Sequence, residues 1–321
     1  MNEVLRAGAS VGWPPGRVRL VFGLMIVLGL FLPFFVYPVF VMNVLCMALF
    51  ASAFNLLLGY TGLLSFGHAA FLGGAGYLCG QAVKVWGLTP ELGILLGVLL
   101  SAGLGWIIGG LAIRRSGIYF AMITLGLAQV VYFLAVQMPF TGGDDGLQGV
   151  PRGKLLGLVP LEGRYAMYYF VYAIFLLGFF VVYRTIHSPF GHVLRSIREN
   201  EPRALSLGYE VDRYKLVAFV LSAALSGLAG ATKALVFQSE TLTDVHWHMS
   251  GEVVLMTLLG GMGTVMGPSV GALIVLVLQN YLSGFGSWVT VITGVVFVVG
   301  VLAFRRGFVG EAVALAKKFP F

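Results

Sequence analysis

Long apolar runs alternate with short polar breaks along the chain, and the length of those runs sets its class. A helix needs about 20 mostly apolar residues to cross a hydrocarbon layer. Runs of that kind lie near 20–36, 38–58, 66–83, 91–112, 118–136, 166–184, 214–236, 251–266, 268–283 and 287–304. Tyr37-Pro38 divides the first two, because proline cannot continue a helical ladder. The stretch 251–283 is broken at Gly260-Gly261-Met262-Gly263 and again at Gly267-Pro268. The pattern predicts an all-α, polytopic transmembrane helix bundle forming one domain over 1–321. It has about ten spans, or eight plus a re-entrant hairpin. Arginines precede the first run as in a signal peptide, but no small-residue cleavage site follows, so that run is expected to be a retained span.

Loop charge orients the bundle. With the N-terminus inside, ten spans place Arg6, Arg17, Arg19, Arg114, Arg115, the loop from Arg184 to Lys215, and the tail Arg305, Arg306, Lys317 and Lys318 on one side. That side holds 15 of the 20 Lys and Arg, which is the positive-inside pattern. A single span over 251–283 would put the basic tail outside. Both termini are therefore expected in the cytoplasm.

Composition agrees. The chain is 59% hydrophobic and 10% charged, with mean hydropathy +0.94. A soluble domain carries about a quarter charged residues, and one aqueous core could not hide this much apolar surface. The 45 glycines have no collagen-like period and suit close helix approach in lipid. Cys46 and Cys79 lie in apolar runs without disulfide or metal spacing. The net charge of +7 is spread over loops, which argues against a nucleic-acid face.

Two larger polar loops fall on opposite sides, 137–165 outside and 185–213 inside. In the second, Phe190, Val193, Leu194 and Ile197 recur at helical spacing, with Arg195, Arg198 and Glu199 away from that stripe. Glu201-Pro202 opens a second short helix that stops at Gly208. Alternating acids and bases suit a protein groove better than a lipid surface.

Several chemistries are missing. Gly260 to Gly267 lacks the Lys-Ser/Thr pair of a phosphate-binding loop, so any ATP must bind another chain. His246-Trp247-His248 offers two metal ligands without a third, and Asp144-Asp145-Gly146 lacks the alternating ligands of a calcium loop. No span centre carries Asp, Glu, Lys or Arg, which counts against an ion-coupled carrier acting alone. A membrane-embedded enzyme would need a His and carboxylate cluster that is not seen. The polar groups left for a translocation path are Asn43, Asn55, His68, Thr124, Gln129 and Thr257. For each, hydrogen bonding between helices is the competing role. Leu72-Gly-Gly-Ala-Gly76 and Leu259-Gly-Gly-Met-Gly263 echo one another five spans apart, the signature of a five-plus-five inverted repeat.

The segment Asn55-Leu-Leu-Leu-Gly-Tyr-Thr-Gly-Leu-Leu-Ser-Phe-Gly-His-Ala-Ala70 resembles a signature of branched-chain amino-acid-type ABC permeases, specifically the LivM-like subunit. Ser116–Leu125, Thr141–Leu147, Gly191–Gly208 and Gly260–Pro268 agree with it, in order. The resemblance implies a bacterial inner-membrane importer subunit. Its partners would be a LivH-like second permease, two cytoplasmic ATPases that hold the ATP and Mg, and an extracytoplasmic substrate-binding protein. It also implies that the 185–213 loop is the coupling element, a role carried onto Arg195, Arg198, Glu199, Glu201, Leu207 and Gly208. Pro202-Arg203 departs from the family's usual Glu-Ala-Ala, and Asp144-Asp145 from its more common Ser-Asp. Branched-chain amino acids, urea, short amides and aromatic acids all fit a neutral path.

Overall fold

A computed structural model describes residues 15–155, 157, 159–286, 288–304 and 307–311. Of the charges used for orientation, Arg6, Arg305, Arg306, Lys317 and Lys318 lie outside the described residues. The helices are α1 (Pro15–Phe35), α2 (Pro38–Thr61), α3 (His68–Lys84), α4 (Pro90–Ala112), α5 (Ile118–Gln137), α6 (Arg164–Ile186), α7 (Pro189–Glu199), α8 (Glu201–Ser206), α9 (Val211–Phe237), α10 (Leu242–Val245), α11 (Trp247–Gly260), α12 (Gly267–Leu282) and α13 (Trp288–Ala303). Four two-residue strands make two antiparallel pairs. β1 (Leu147–Gln148) pairs with β4 (Ser239–Glu240), and β2 (Lys154–Leu155) with β3 (Val159–Pro160). Proline opens α2, α4, α7, α8 and α12, where its missing N–H costs no ladder bond.

Among the described residues, α2, α4, α5, α6 and α9 are long and apolar enough to cross a membrane. Their ends define two faces. The face carrying α7 and α8, called the loop face, also gathers the end of α2 and the turn between α11 and α12: Arg198 lies against Gly59, and Tyr60 reaches Gly263. Gly307, past α13, packs on Gly261 and so reaches the same face. The far face carries 138–163 and 238–246. Thus α11 and α12 each run between the faces, and 251–283 is two passes joined by one turn, 261–266.

The packing repeats in the order the echo suggests, although the echoed glycines are not equivalent in position. Gly73, Gly74 and Gly76 lie inside α3, whereas Gly261 and Gly263 follow the end of α11. Helix α9 packs on α3 and α4, and α2 packs on α11 and α12; α3 packs on α4 as α11 does on α12, and α5 lies against α3 and α4 as α13 does against α11 and α12. The first five spans thus correspond to α6, α9, α11, α12 and α13. The outer helices break the likeness, since α6 packs broadly on α2 while α1 has no such place on α9.

Both α3, at 17 residues, and α11, at 14 residues, are too short to cross by themselves. Each is preceded by a break in the long helices, the non-helical 62–67 before α3 and, before α11, 238–246 with its strand β4 and the single-turn α10. Such backbone survives only where protein supplies its hydrogen bonds. Phe66 N–H donates to Thr124 Oγ1 at 3.2 Å, Gly67 N–H to Ser65 Oγ at 3.1 Å, and Ala69 N–H to Ser250 Oγ at 2.9 Å. That last bond joins the first turn of α3 to the first turns of α11. Gly62 makes the departure from α2 with φ +78°, a conformation that disfavours other residues.

Candidate functional site

The predicted amphipathic stripe is realised, and it fixes how α7 sits. Gly191, Leu194 and Ile197 are buried, and Ile197 packs with Ala204 of α8 and Val211 of α9, flanked by Val193 and Tyr214. Phe190 stacks on Tyr214, with ring centroids 5.6 Å apart. Ser188 caps α7 by accepting from Gly191 N–H at 3.3 Å, and Asn200 caps α8 by accepting from Arg203 N–H at 3.1 Å. Gly208 ends the pair at φ +86°, as the stop signal requires.

The charged side departs from the helical-wheel expectation. Arg195 and Arg198 do not project away from the bundle. Arg198 Nη1 donates to the Gly59 carbonyl at the end of α2, and the Arg195 guanidinium lies 5.2 Å from the centroid of the Tyr60 ring. Burial pulls the Arg198 pKa below its ordinary value while Tyr60 and Glu199 pull it up; an arginine stays cationic throughout the physiological range. Glu201 is also engaged, pairing with the buried Lys215 at 2.6 Å. Of the six coupling candidates, Glu199, Leu207 and Gly208 face outward. Leu205 and Tyr209 join them, being 55% and 38% exposed, with Leu207 at 68%. Sequence reasoning passed over Leu205 and Tyr209. An apolar residue on the outer side of a short polar helix was the available signal.

Around Arg198 the polar groups interlock. Asn55 of α2 donates from Nδ2 to the Thr264 carbonyl at 2.9 Å and accepts from Gly263 N–H at 2.9 Å. Tyr60 donates to the Gly263 carbonyl at 3.0 Å. A side chain at Gly59 would meet Asn55, and one at Gly263 would stand 3.2 Å from Arg198 Nη1, so glycine is required for this close approach. The ends of α2 and the 261–266 turn are therefore bonded together, with the α7 arginine laid against both.

The path candidates separate into two groups. Asn55, His68, Thr124 and Thr257 are fully buried and bonded within the bundle. Ser222 Oγ donates to the Ala53 carbonyl at 2.6 Å. It therefore accepts from His68 Nε2–H at 2.9 Å, with the imidazole ringed by Phe54, Phe71 and Phe219. Thr124 Oγ1 accepts from Phe66, and Thr257 Oγ1 donates to the Val253 carbonyl at 2.8 Å. Gln129 differs, being only partly buried on α5. Asn43 is partly buried too, with its Oδ1 unpartnered.

A charged cluster lies under the far face. Lys233 of α9 pairs with Asp244 of α10, with side chains 14% and 9% exposed. Glu240 of β4 is 1% exposed, and its carboxyl lies flat on Gly76 of α3. The backbone beside it ties down the long far-face loop: Leu147 pairs with Glu240, Val150 N–H donates to the Gln238 carbonyl at 2.9 Å, and Arg152 donates to the Val236 carbonyl at 3.0 Å. Among the described residues, no three His, Cys, Asp or Glu side chains form a metal-ligand group.

Comparison with known proteins matches residues 39–303 to the family described as "Branched-chain amino acid transport system / permease component". The chain is 27% identical over 263 residues to the high-affinity branched-chain amino acid transport system permease protein LivM of Salmonella typhimurium. It is 26% identical over 263 residues to LivM of Escherichia coli. Each match covers 75% of this chain and 62% of the relative, so the chain spans less than two thirds of those LivM proteins. The ribose import permease protein RbsC of Bacillus subtilis is 29% identical over 308 residues, 89% of this chain and 90% of that protein. No solved structure matches.

Proposed function

The chain belongs to the branched-chain amino acid transport system permease family, and from that premise we propose that it moves a branched-chain amino acid or a similar small polar or carboxylate solute inward across a bacterial inner membrane. Membership makes it a multi-pass permease component of an ABC import system, whose relatives are transport components. Separate subunits, two ATPases bearing ATP and Mg, supply the energy at the loop face, which lies in the cytoplasm with both termini. A LivH-like permease completes the membrane unit. A substrate-binding protein docks on the far-face loop and sets selectivity; relatives named for ribose and autoinducer 2 import are the reason the solute class is drawn broadly.

One observation carries the docking reading. The apolar stripe of α7 is spent on the bundle, yet Leu205, Leu207 and Tyr209 remain exposed around α8, beside the charges of Glu199 and Arg203. Apolar side chains in a polar rim on a loop outside the spans mark a protein contact. Replacing Leu205 and Leu207 together by Asp buries nothing charged within this chain. It is expected to leave membrane insertion and thermal stability unchanged while lowering ATPase co-purification at least about tenfold, since each lost anchor contributes more than about 1 kcal/mol. Co-purification equal to wild type would place the motor elsewhere.

A further inference from the structure

The geometry points to Arg198 as the residue that transmits movement of the coupling helices to the bundle, rather than one that grips the motor. This role rests on the permease reading above. Helix α7 lies between α6 and α9, the first two spans of the second repeat. Its Arg198 donates to Gly59, at the end of α2 in the first repeat. The same guanidinium stands beside Gly263, in the α11–α12 turn of the second repeat, and the Arg198 stem lies close to Gly62, where α2 gives way to the non-helical segment before α3. Three moving parts thus meet at one side chain.

Two features make the contact a link and not incidental packing. The groups on the bundle side are already bonded to one another: Asn55 holds Gly263 and Thr264, and Tyr60 holds Gly263. A push arriving at Gly59 therefore reaches the turn without first breaking a bond. The guanidinium is a planar, multi-donor fork on a stem packed against glycines, so it passes both pull and tilt; a lysine ammonium would hold the carbonyl as a single point. A displaced helix can shift the partner equilibrium only through such differential contacts. Arg198 is a positioning residue in this sense, and its removal should uncouple rather than detach.

The test uses the full complex, purified with its ATPase subunits and placed in lipid nanodiscs. Spin labels sit at Ser196→Cys on the exposed side of α7 and at Met262→Cys in the exposed turn; Cys46 and Cys79 are buried and stay unlabelled. Distances are recorded before and after trapping with ATP and vanadate. The expected result for otherwise wild-type protein is one narrow Ser196–Met262 separation, preserved in both states because the two segments move together. Arg198→Ala should keep ATPase co-purification and basal hydrolysis within about twofold, yet broaden or shift that separation on trapping. Arg198→Lys should recover part of the wild-type behaviour. Tyr60→Phe keeps the ring and Arg198 but removes one bond to Gly263, and should broaden the separation less than Arg198→Ala. Loss of the ATPases from Arg198→Ala would make it a docking residue and overturn the role, as would a separation unchanged by both variants. A wild-type chain that binds no ATPase would bring down the permease reading itself, whereas normal assembly and trapping with the separation unchanged in every variant would bring down only the link.

Discussion

Lys233→Met is expected to cost about 3–5 kcal/mol, because it strands Asp244 without its cation in a site closed to solvent. The two side chains are 14% and 9% exposed, so water cannot rescue the carboxylate cheaply, and Glu240 lies close by with neither oxygen hydrogen-bonded in the structure. The only other bond to the Asp244 carboxylate among the described residues is a long one from Thr241 Oγ1, at 3.4 Å. The pairing explanation makes a second demand. Lys233→Met combined with Asp244→Asn removes both charges and should recover more than half of the loss. Denaturation in detergent micelles of the wild type, both single variants and the double variant gives the cycle. Two independent, additive losses would show that the helices, not the ion pair, hold this corner.

Gly271→Val is expected to cost about 3 kcal/mol, the upper end of overpacking penalties, or to prevent folding outright. The added Cβ would fall on the Met256 carbonyl, which belongs to the rigid ladder of α11 and has no room to retreat. Gly260 meets the backbone of Gly267 in the same way, so α11 and α12 touch backbone to backbone over their shared turn. In lipid such contacts replace the hydrophobic drive that holds soluble helices together. Gly97 against the Ala75 carbonyl makes the corresponding approach between α3 and α4, where the added Cβ would stand 2.9 Å away, so Gly97→Val should also destabilise, though less. Gly103→Val is the control: open space surrounds it, and its effect should stay within about 0.5 kcal/mol. Thermal denaturation of purified variants ranks the three.

The helices were legible because run length and proline placement are both local signals. Pro38, Pro202 and Pro268 mark breaks or starts in the sequence and stand at helix starts in the structure. The break after α2 was legible too, since the runs 38–58 and 66–83 leave 59–65 between them; hydropathy could not show what holds the non-helical 62–67, because Thr124, which accepts from Phe66 N–H, is far away in sequence. Nor could hydropathy show how the far-face segment 240–246 is packed. Its acids suggest water, but Asp244 is paired and Glu240 is buried beneath the far-face loop.

The candidate site was legible as a segment and not as side chains. The stripe of α7 and the stop at Gly208 follow from spacing. Where Arg195 and Arg198 point does not, because a long arginine can fold back over the edge of its helix toward a carbonyl or a ring. Polar residues within spans posed the opposite problem. Asn55, Thr124 and Thr257 are residues that a path would use, but a buried polar group must first be satisfied, and the bundle itself satisfies them; His68 is bonded at Nε2, while its buried Nδ1 has no partner among the described residues. Of the six candidates, Gln129 on α5 and Asn43 on α2 are the two only partly buried.

The central claim is that a separate ATPase presses on the outer side of α7 and α8. Its most direct measurement is site-specific photo-crosslinking in native membranes, with a photoreactive amino acid at Leu207, which is 68% exposed, and a second at Leu302, 74% exposed on α13. The account expects an adduct from position 207 to the ATPase subunit and none from position 302. An adduct from 207 to lipid alone, with the ATPase captured elsewhere or not at all, would contradict it.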